Sequence, residues 1–346
     1  MEFVYISVLI ISIFSFILVN KIFRKLGIAD KPDNVRKLHS EAVPLGGGIA
    51  LFISAFISIA LFFDISQPFL DYPPLLKVFF VSTIILLIGL WDDIKPLPFS
   101  IRLIVQIFAS WLVITLADVH IVDLGNLLGF GNIYLSQFGI PVTIFMVVGV
   151  CNSFNMLDGM DGLLGIVILV AISALFYMAF LTGVSEVFLI MSIITTFIYL
   201  IFNLGLAGKK RKIFLGDAGS MWIGFMLAWT FVILSQGDAR YFEPVTALWF
   251  ILIPLVDALS TFITRLWNKK SIFESDRTHI HHMLIDLGLS KMKVLLIIFI
   301  TSLVFSCFGI YAHLISYPEA RQFYGFLTIW FFYVLLIKYP LSDIKR

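Results

Sequence analysis

Residues 75–117 read LLKVFFVSTIILLIGLWDDIKPLPFSIRLIVQIFASWLVITLA. They form two apolar runs, 75–91 and 101–117, joined by a short turn that starts with Asp92 and Asp93, with Arg102 just beyond it. A membrane crossing takes about 20 apolar residues, so the segment predicts two membrane helices with their charges gathered at one end. Similar apolar runs lie at 3–20, 45–63, 138–153, 163–182, 186–204, 214–235, 244–264, 293–315 and 323–339. The expected fold is therefore an all-α polytopic membrane protein of about eleven transmembrane helices, a single integral-membrane domain over residues 1–346. Composition agrees: 60% of the residues are hydrophobic and 13% charged, with a mean hydropathy of +1.02. Those values exclude a water-soluble globular protein, a disordered chain and a nucleic-acid binder.

Eleven spans define two sides. Of the 24 Lys and Arg, all but Lys77, Arg240 and Arg321 fall on one of them. The positive-inside rule makes that side cytoplasmic, so the N-terminus is expected outside and the C-terminus inside. The first span has Glu2 before it and Lys21, Arg24 and Lys25 after it, and reads as a retained signal anchor rather than a cleaved leader. The cytoplasmic loops are then about 21–44, 92–102, 152–162, 205–217 and 265–292. Cys151 and Cys307, far apart in apolar stretches, do not suggest a disulfide framework.

The acids are more telling than the bases. Asp92, Asp93, Asp158, Asp161 and Asp217 all sit at expected cytoplasmic helix ends, where a charge is costly and usually functional. Adjacent carboxylates raise each other's pKa, so Asp92 and Asp93 ask for Mg²⁺ or a base such as Lys95 or Arg102. For that pair alone a solvated helix end reads equally well. In VCNSFNMLDGMDGLLG (150–165), Asn152, Asn155, Asp158 and Asp161 recur every third residue. They offer the hard oxygen ligands that Mg²⁺ shares with phosphates. Asp217, between Gly216 and Gly219 at a helix start, combines a carboxylate with free backbone N–H groups suited to phosphate. The preceding run Lys209 to Lys212 could draw anions, but reads more simply as a positive-inside anchor.

In DRTHIHH (276–282), Arg277, His279, His281 and His282 make a phosphate grip more readily than a zinc site, since no Cys set at ligand spacing accompanies them. Lys31, Arg36, Lys37 and His39 add a further anion-binding surface before a glycine-rich helix start. Pro254 removes a backbone hydrogen bond and should kink the ninth span, while Asp257 inside it should pair within the bundle. A secondary transporter would hold its acids near the midplane of repeated halves. Here they cluster at one face, and the halves do not resemble each other.

The motifs GIADKP with RKLH, WDDI with IRL, NSFNMLDGMDGL, KIFLGDAGS, PVTALW with LIPL and Asp257, and DRTHIHH follow one another along nearly the whole chain. In this order they resemble the polyprenyl-phosphate N-acetylhexosamine-1-phosphate transferase superfamily, most of all its undecaprenyl-phosphate GlcNAc-1-phosphate branch. The muramoyl-pentapeptide branch is less similar, having three consecutive histidines where this chain has HIHH. The resemblance implies transfer of GlcNAc 1-phosphate from UDP-GlcNAc to undecaprenyl phosphate with release of UMP, in the bacterial cytoplasmic (inner) membrane. That reaction would open a cell-surface polysaccharide pathway such as O-antigen or cell-wall glycan synthesis. It further implies Mg²⁺ as cofactor, with Mn²⁺ as a substitute. Asp217 and Asn155 match its metal-ligand positions, and Asp92 and Asp93 the acidic pair near the acceptor phosphate. Phe214 matches the aromatic that stacks on uracil, and Asp161 the residue that reads the uracil edge. The histidines match a triad on the diphosphate side. Arg265 and the 268–282 loop are taken as sugar-facing, and Lys31, His39, Arg102, Asn152 and Arg277 as further substrate contacts. The kink at Pro254 is expected to open a groove for the prenyl tail, though an ordinary tolerated proline fits equally well. Other N-acetylated sugars, and a monomer or homodimer, stay open.

Overall fold

A computed structural model of the chain describes residues 2–30, 42–62, 73–182, 187–237, 240–269 and 279–338. Lys31, Arg36, Lys37, His39 and Arg277 lie outside these residues. The described chain is mostly helical: α1 (Glu2–Leu26), α2 (Gly47–Leu61), α3 (Pro73–Ile94), α4 (Phe99–Ala117), α5 (Gly139–Leu157), α6 (Leu163–Leu181), α7 (Val187–Asn203), α8 (Gly216–Ser235), α9 (Pro244–Phe250), α10 (Leu252–Trp267), α11 (Ile280–Asp286), α12 (Lys291–Leu314) and α13 (Glu319–Phe332). A two-residue ladder pairs β1 (Ala29–Asp30) with β2 (Val43–Pro44).

Seven of the described helices are long and apolar enough to cross a membrane, or up to eight if the bent pair α9 and α10 is one span. The runs expected at 45–63 and 186–204 form α2 and α7, of 15 and 17 residues. At 1.5 Å per residue these are shorter than a hydrocarbon core about 30 Å thick.

Helix α8 is the axis of the bundle, buried over almost its whole length and packed on α2, α3 and α5. Membrane helices approach this closely where small residues meet. At Gly224 an added Cβ would come within 2.9 Å of the Cys151 backbone, and at Gly89 within 2.5 Å of Ala218. Outer helices expose Phe3, Ile10 and Phe14 of α1 and Leu296 and Val304 of α12, as surfaces facing lipid do.

The ninth run does not cross straight. It breaks at Ile251, between α9 and α10, with a bend of 87°. Pro254 falls in the first turn of α10, where its missing N–H costs nothing, so the expected kink is a full break three residues earlier. Helix α10 is inverted in polarity: Leu259, Phe262 and Leu266 face outward, whereas Asp257, Ser260, Thr261, Thr264 and Arg265 are buried. Cys151 is buried and Cys307 exposed, and neither is in a disulfide.

Candidate functional site

The site forms where the Asp-rich ends of α3, α5 and α8 meet the starts of α4 and α6. Gly216, at φ +75°, turns the chain into α8 in a conformation that favours glycine. That turn aims the first N–H groups of α8 at α3. Asp93 accepts from Asp217 N–H at 2.8 Å and from Ala218 N–H at 3.1 Å, so a carboxylate from another helix caps α8 and meets the positive end of its dipole. These donors are therefore engaged, and the expectation of free N–H groups for phosphate at Asp217 and Ala218 is corrected.

The acidic pair is split in role. Asp92, 8% exposed, accepts Leu97 N–H at 2.6 Å on one oxygen and the Arg102 guanidinium at 2.6 Å on the other. Arg102 also stands 3.7 Å from Asp217. One guanidinium thus compensates two carboxylates, which answers the demand for a cation with Arg102 as the base.

The four groups at intervals of three do not converge. Asn155 Nδ2 donates to Asp217 Oδ1 at 2.7 Å and to Ser220 Oγ at 2.9 Å, leaving its amide oxygen to accept elsewhere. Asn152, one turn earlier, instead donates to Gln106 Oε1 at 2.7 Å and to Val148 O, joining α4 to α5. Asp158 ends α5 half-buried; its burial, then the charges of Asp217 and Asp161, push its carboxyl up to about 7. Asp161 is paired with Lys212 Nζ at 2.7 Å, and the same ammonium lies 5.2 Å from the centre of the Phe214 ring. Lys212 therefore belongs to the site, beyond the anchoring role that its basic run suggested.

Several positioning groups were invisible in sequence. Asn203, 3% exposed at the end of α7, accepts from Gly162 N–H at 2.5 Å and donates to Ile213 O at 2.9 Å. It thereby ties the Asp161 turn to the segment bearing Phe214. Asn20 of α1 donates to the carbonyls of Arg211 and Lys212, and Gly47 and Gly48 at the start of α2 donate to those of Phe214 and Leu215. The only local signal was an amide at the end of an apolar run.

The histidines close one side. His281, 1% exposed, packs against Gly159 in the turn between Asp158 and Asp161. Its ring lies parallel to that of His279, with centroids 6.1 Å apart, and 4.1 Å from that of His282. Arg265 is buried in the last turn of α10.

Among the described residues no three His, Cys, Asp or Glu form a ready cage for a metal. The donor chemistry nonetheless fits Mg²⁺, which keeps several waters and is held by one or two carboxylates plus substrate phosphates. The Asp217 side chain is 38% exposed and adjoins the Asn155 amide, so these two residues could hold such an ion.

The family model for glycosyl transferase family 4 matches residues 75–235, the stretch that supplies Asp92 through Asp217. The chain is 32% identical to the undecaprenyl-phosphate alpha-N-acetylglucosaminyl 1-phosphate transferase of Salmonella typhi, over 95% of this chain and 90% of that one. The enzymes of the same name from Escherichia coli (strain K12) and Haemophilus influenzae are 32% and 33% identical, over 92% and 90% of this chain and 86% and 87% of theirs.

Proposed function

The chain belongs to glycosyl transferase family 4 and to its polyprenyl-phosphate N-acetylhexosamine-1-phosphate transferases, and on that premise we propose that it transfers GlcNAc 1-phosphate from UDP-GlcNAc to undecaprenyl phosphate, releasing UMP. The observation that carries this reading is the meeting of Asp217, Asn155, Asp93 and Arg102 at one end of an apolar bundle. A soluble anionic donor and a lipid phosphate can both reach such a place.

In the direct route, an oxygen of the lipid phosphate attacks the β-phosphorus of the donor. The bond from that phosphorus to the bridging oxygen breaks, and UMP leaves with the electron pair. A phosphate monoester is mostly dianionic at pH 7, so the attack needs little base. With both oxygens of Asp92 engaged, its part is to hold Arg102 over the site, where the guanidinium offsets charge on the acceptor. Phe214 and Asp161 receive the uracil, once Lys212 yields the carboxylate and the ring face that it now covers. Asp217 and Asn155 would hold Mg²⁺, which when bound would supply Lewis-acid stabilisation of the phosphates.

The reading includes eleven crossings of a bacterial cytoplasmic membrane, with the N-terminus outside and the site on the cytoplasmic face. Its support is the distribution of bases. Arg24, Arg102, Arg211 and Lys212 lie at the site end. At the other end, Lys77 donates to Leu116 O and Arg240 stands 3.7 Å from Asp123. The product would prime a cell-surface polysaccharide. Purified protein given tritiated UDP-GlcNAc, undecaprenyl phosphate and Mg²⁺ should form labelled lipid, and EDTA should stop it. Failure to label lipid from any UDP-N-acetylhexosamine would overturn the proposal.

A further inference from the structure

Asp257 lies in α10 at 2% exposure, a carboxylate inside an apolar run where an ionisable group is expensive and usually functional. Among the described residues, His279, the Ile280 backbone and Tyr333, all outside α10, converge on it. His279 Nδ1 is 2.7 Å from one oxygen; the Ile280 N–H at 3.0 Å and the Tyr333 hydroxyl at 2.7 Å reach the other. An ionised carboxylate only accepts, so the proton of His279 sits on Nδ1, and Nε2 is the nitrogen that can meet a substrate. The His279 ring in turn lies parallel to His281, which packs on Gly159 beside Asp158. A direct line of contacts thus runs from a carboxylate within α10 to the turn that holds Asp161.

We propose that Asp257 is a positioning residue of the transfer, fixing the tautomer and orientation of His279 so that Nε2 faces the diphosphate of the nucleotide-sugar donor. This rests on the proposed function. Anchoring the Ile280 backbone would need only a neutral acceptor. What a carboxylate adds is control of an imidazole, as in the carboxylate–histidine pairs that set ring tautomer and basicity around reactive centres.

The test is a double-mutant cycle on kcat/KM for UDP-GlcNAc, with melting temperatures measured in detergent. Asp257→Asn should fold, melt within a few degrees of the parent protein, and lose about 10- to 100-fold in kcat/KM. His279→Gln should lose at least as much. The double variant should be no worse than His279→Gln alone, because Asp257 acts through that ring. If Asp257 merely bolted the whole segment, its loss would displace His281 and His282 too, and the double variant would fall well below either single one. That outcome, near-parental activity of Asp257→Asn, or failure of Asp257→Asn to fold while His279→Gln folds, would overturn the assignment and leave the function standing. An unsubstituted protein inactive with every UDP-N-acetylhexosamine would overturn both.

Discussion

Gly89→Ala probes the contact on which the site geometry depends. Gly89 lies one turn before Asp93 on α3, and a Cβ there would stand 2.5 Å from Ala218 Cα and 2.7 Å from both Ala218 N and Asp217 O. Ordinary contact begins at 3.4 Å, so the two backbones must part by roughly 1 Å. The Asp93 bonds of 2.8 and 3.1 Å would lengthen by a similar amount, out of bonding range. Overpacking of this kind costs about 1–3 kcal/mol, and a 1 Å misplacement of reacting groups costs about 100-fold in rate. We therefore expect Gly89→Ala to lower the melting temperature by several degrees and kcat by about two orders of magnitude. Gly149→Ala, whose new Cβ meets nothing within 4 Å, should leave both nearly unchanged. The assay is lipid-product formation with saturating substrates alongside a thermal melt. A Gly89→Ala protein as active as its parent would refute the claim that the α3–α8 approach positions Asp217.

Three further outcomes follow from other contacts. In the absence of Mg²⁺, the raised carboxyl of Asp158 favours the folded state when protonated, a contribution complete below its ordinary value of 3.8 and lost as pH rises through about 7; melting temperature should fall between about pH 4 and pH 7, and Asp158→Asn should flatten that slope. Asn203→Ala strands the Gly162 N–H and the Ile213 carbonyl, at about 1–3 kcal/mol for buried groups left unpaired, and should raise KM for UDP-GlcNAc more than it lowers kcat; an unchanged KM would refute the tie between the two segments. Arg102→Met leaves Asp92 and Asp217 without their shared cation, so product formation should fall at least about 100-fold, comparable to loss of an oxyanion-stabilising donor; activity within a few-fold of the parent would show that the guanidinium is dispensable.

What sequence could reveal followed the range of the interactions. Asp92 and Arg102 are ten residues apart across one turn, so their pairing was open to inspection. The cap that Asp93 places on α8 joins residues 124 apart, and a helix start read alone looks free to bind phosphate. Asn203 and Asn20 act on backbone groups, which carry no side-chain signature, so nothing in the sequence sets them apart. Lys212 looked like an anchor because a basic run at a membrane helix end needs no other reason; only its contact with Asp161 sets it apart. Pro254 marked a bend in the ninth run, but the break itself falls at Ile251 and turns the chain by 87°. The apolar runs themselves were legible because lipid demands a continuous helix, whatever its neighbours.

The central claim is that a sugar phosphate, not a bare sugar, moves to the lipid. It is tested most directly with UDP-GlcNAc carrying ³²P in either the α or the β position, incubated with the purified protein, undecaprenyl phosphate and Mg²⁺. The β label should enter the lipid in step with GlcNAc while α label appears only in UMP. Both labels remaining together as UDP would contradict it.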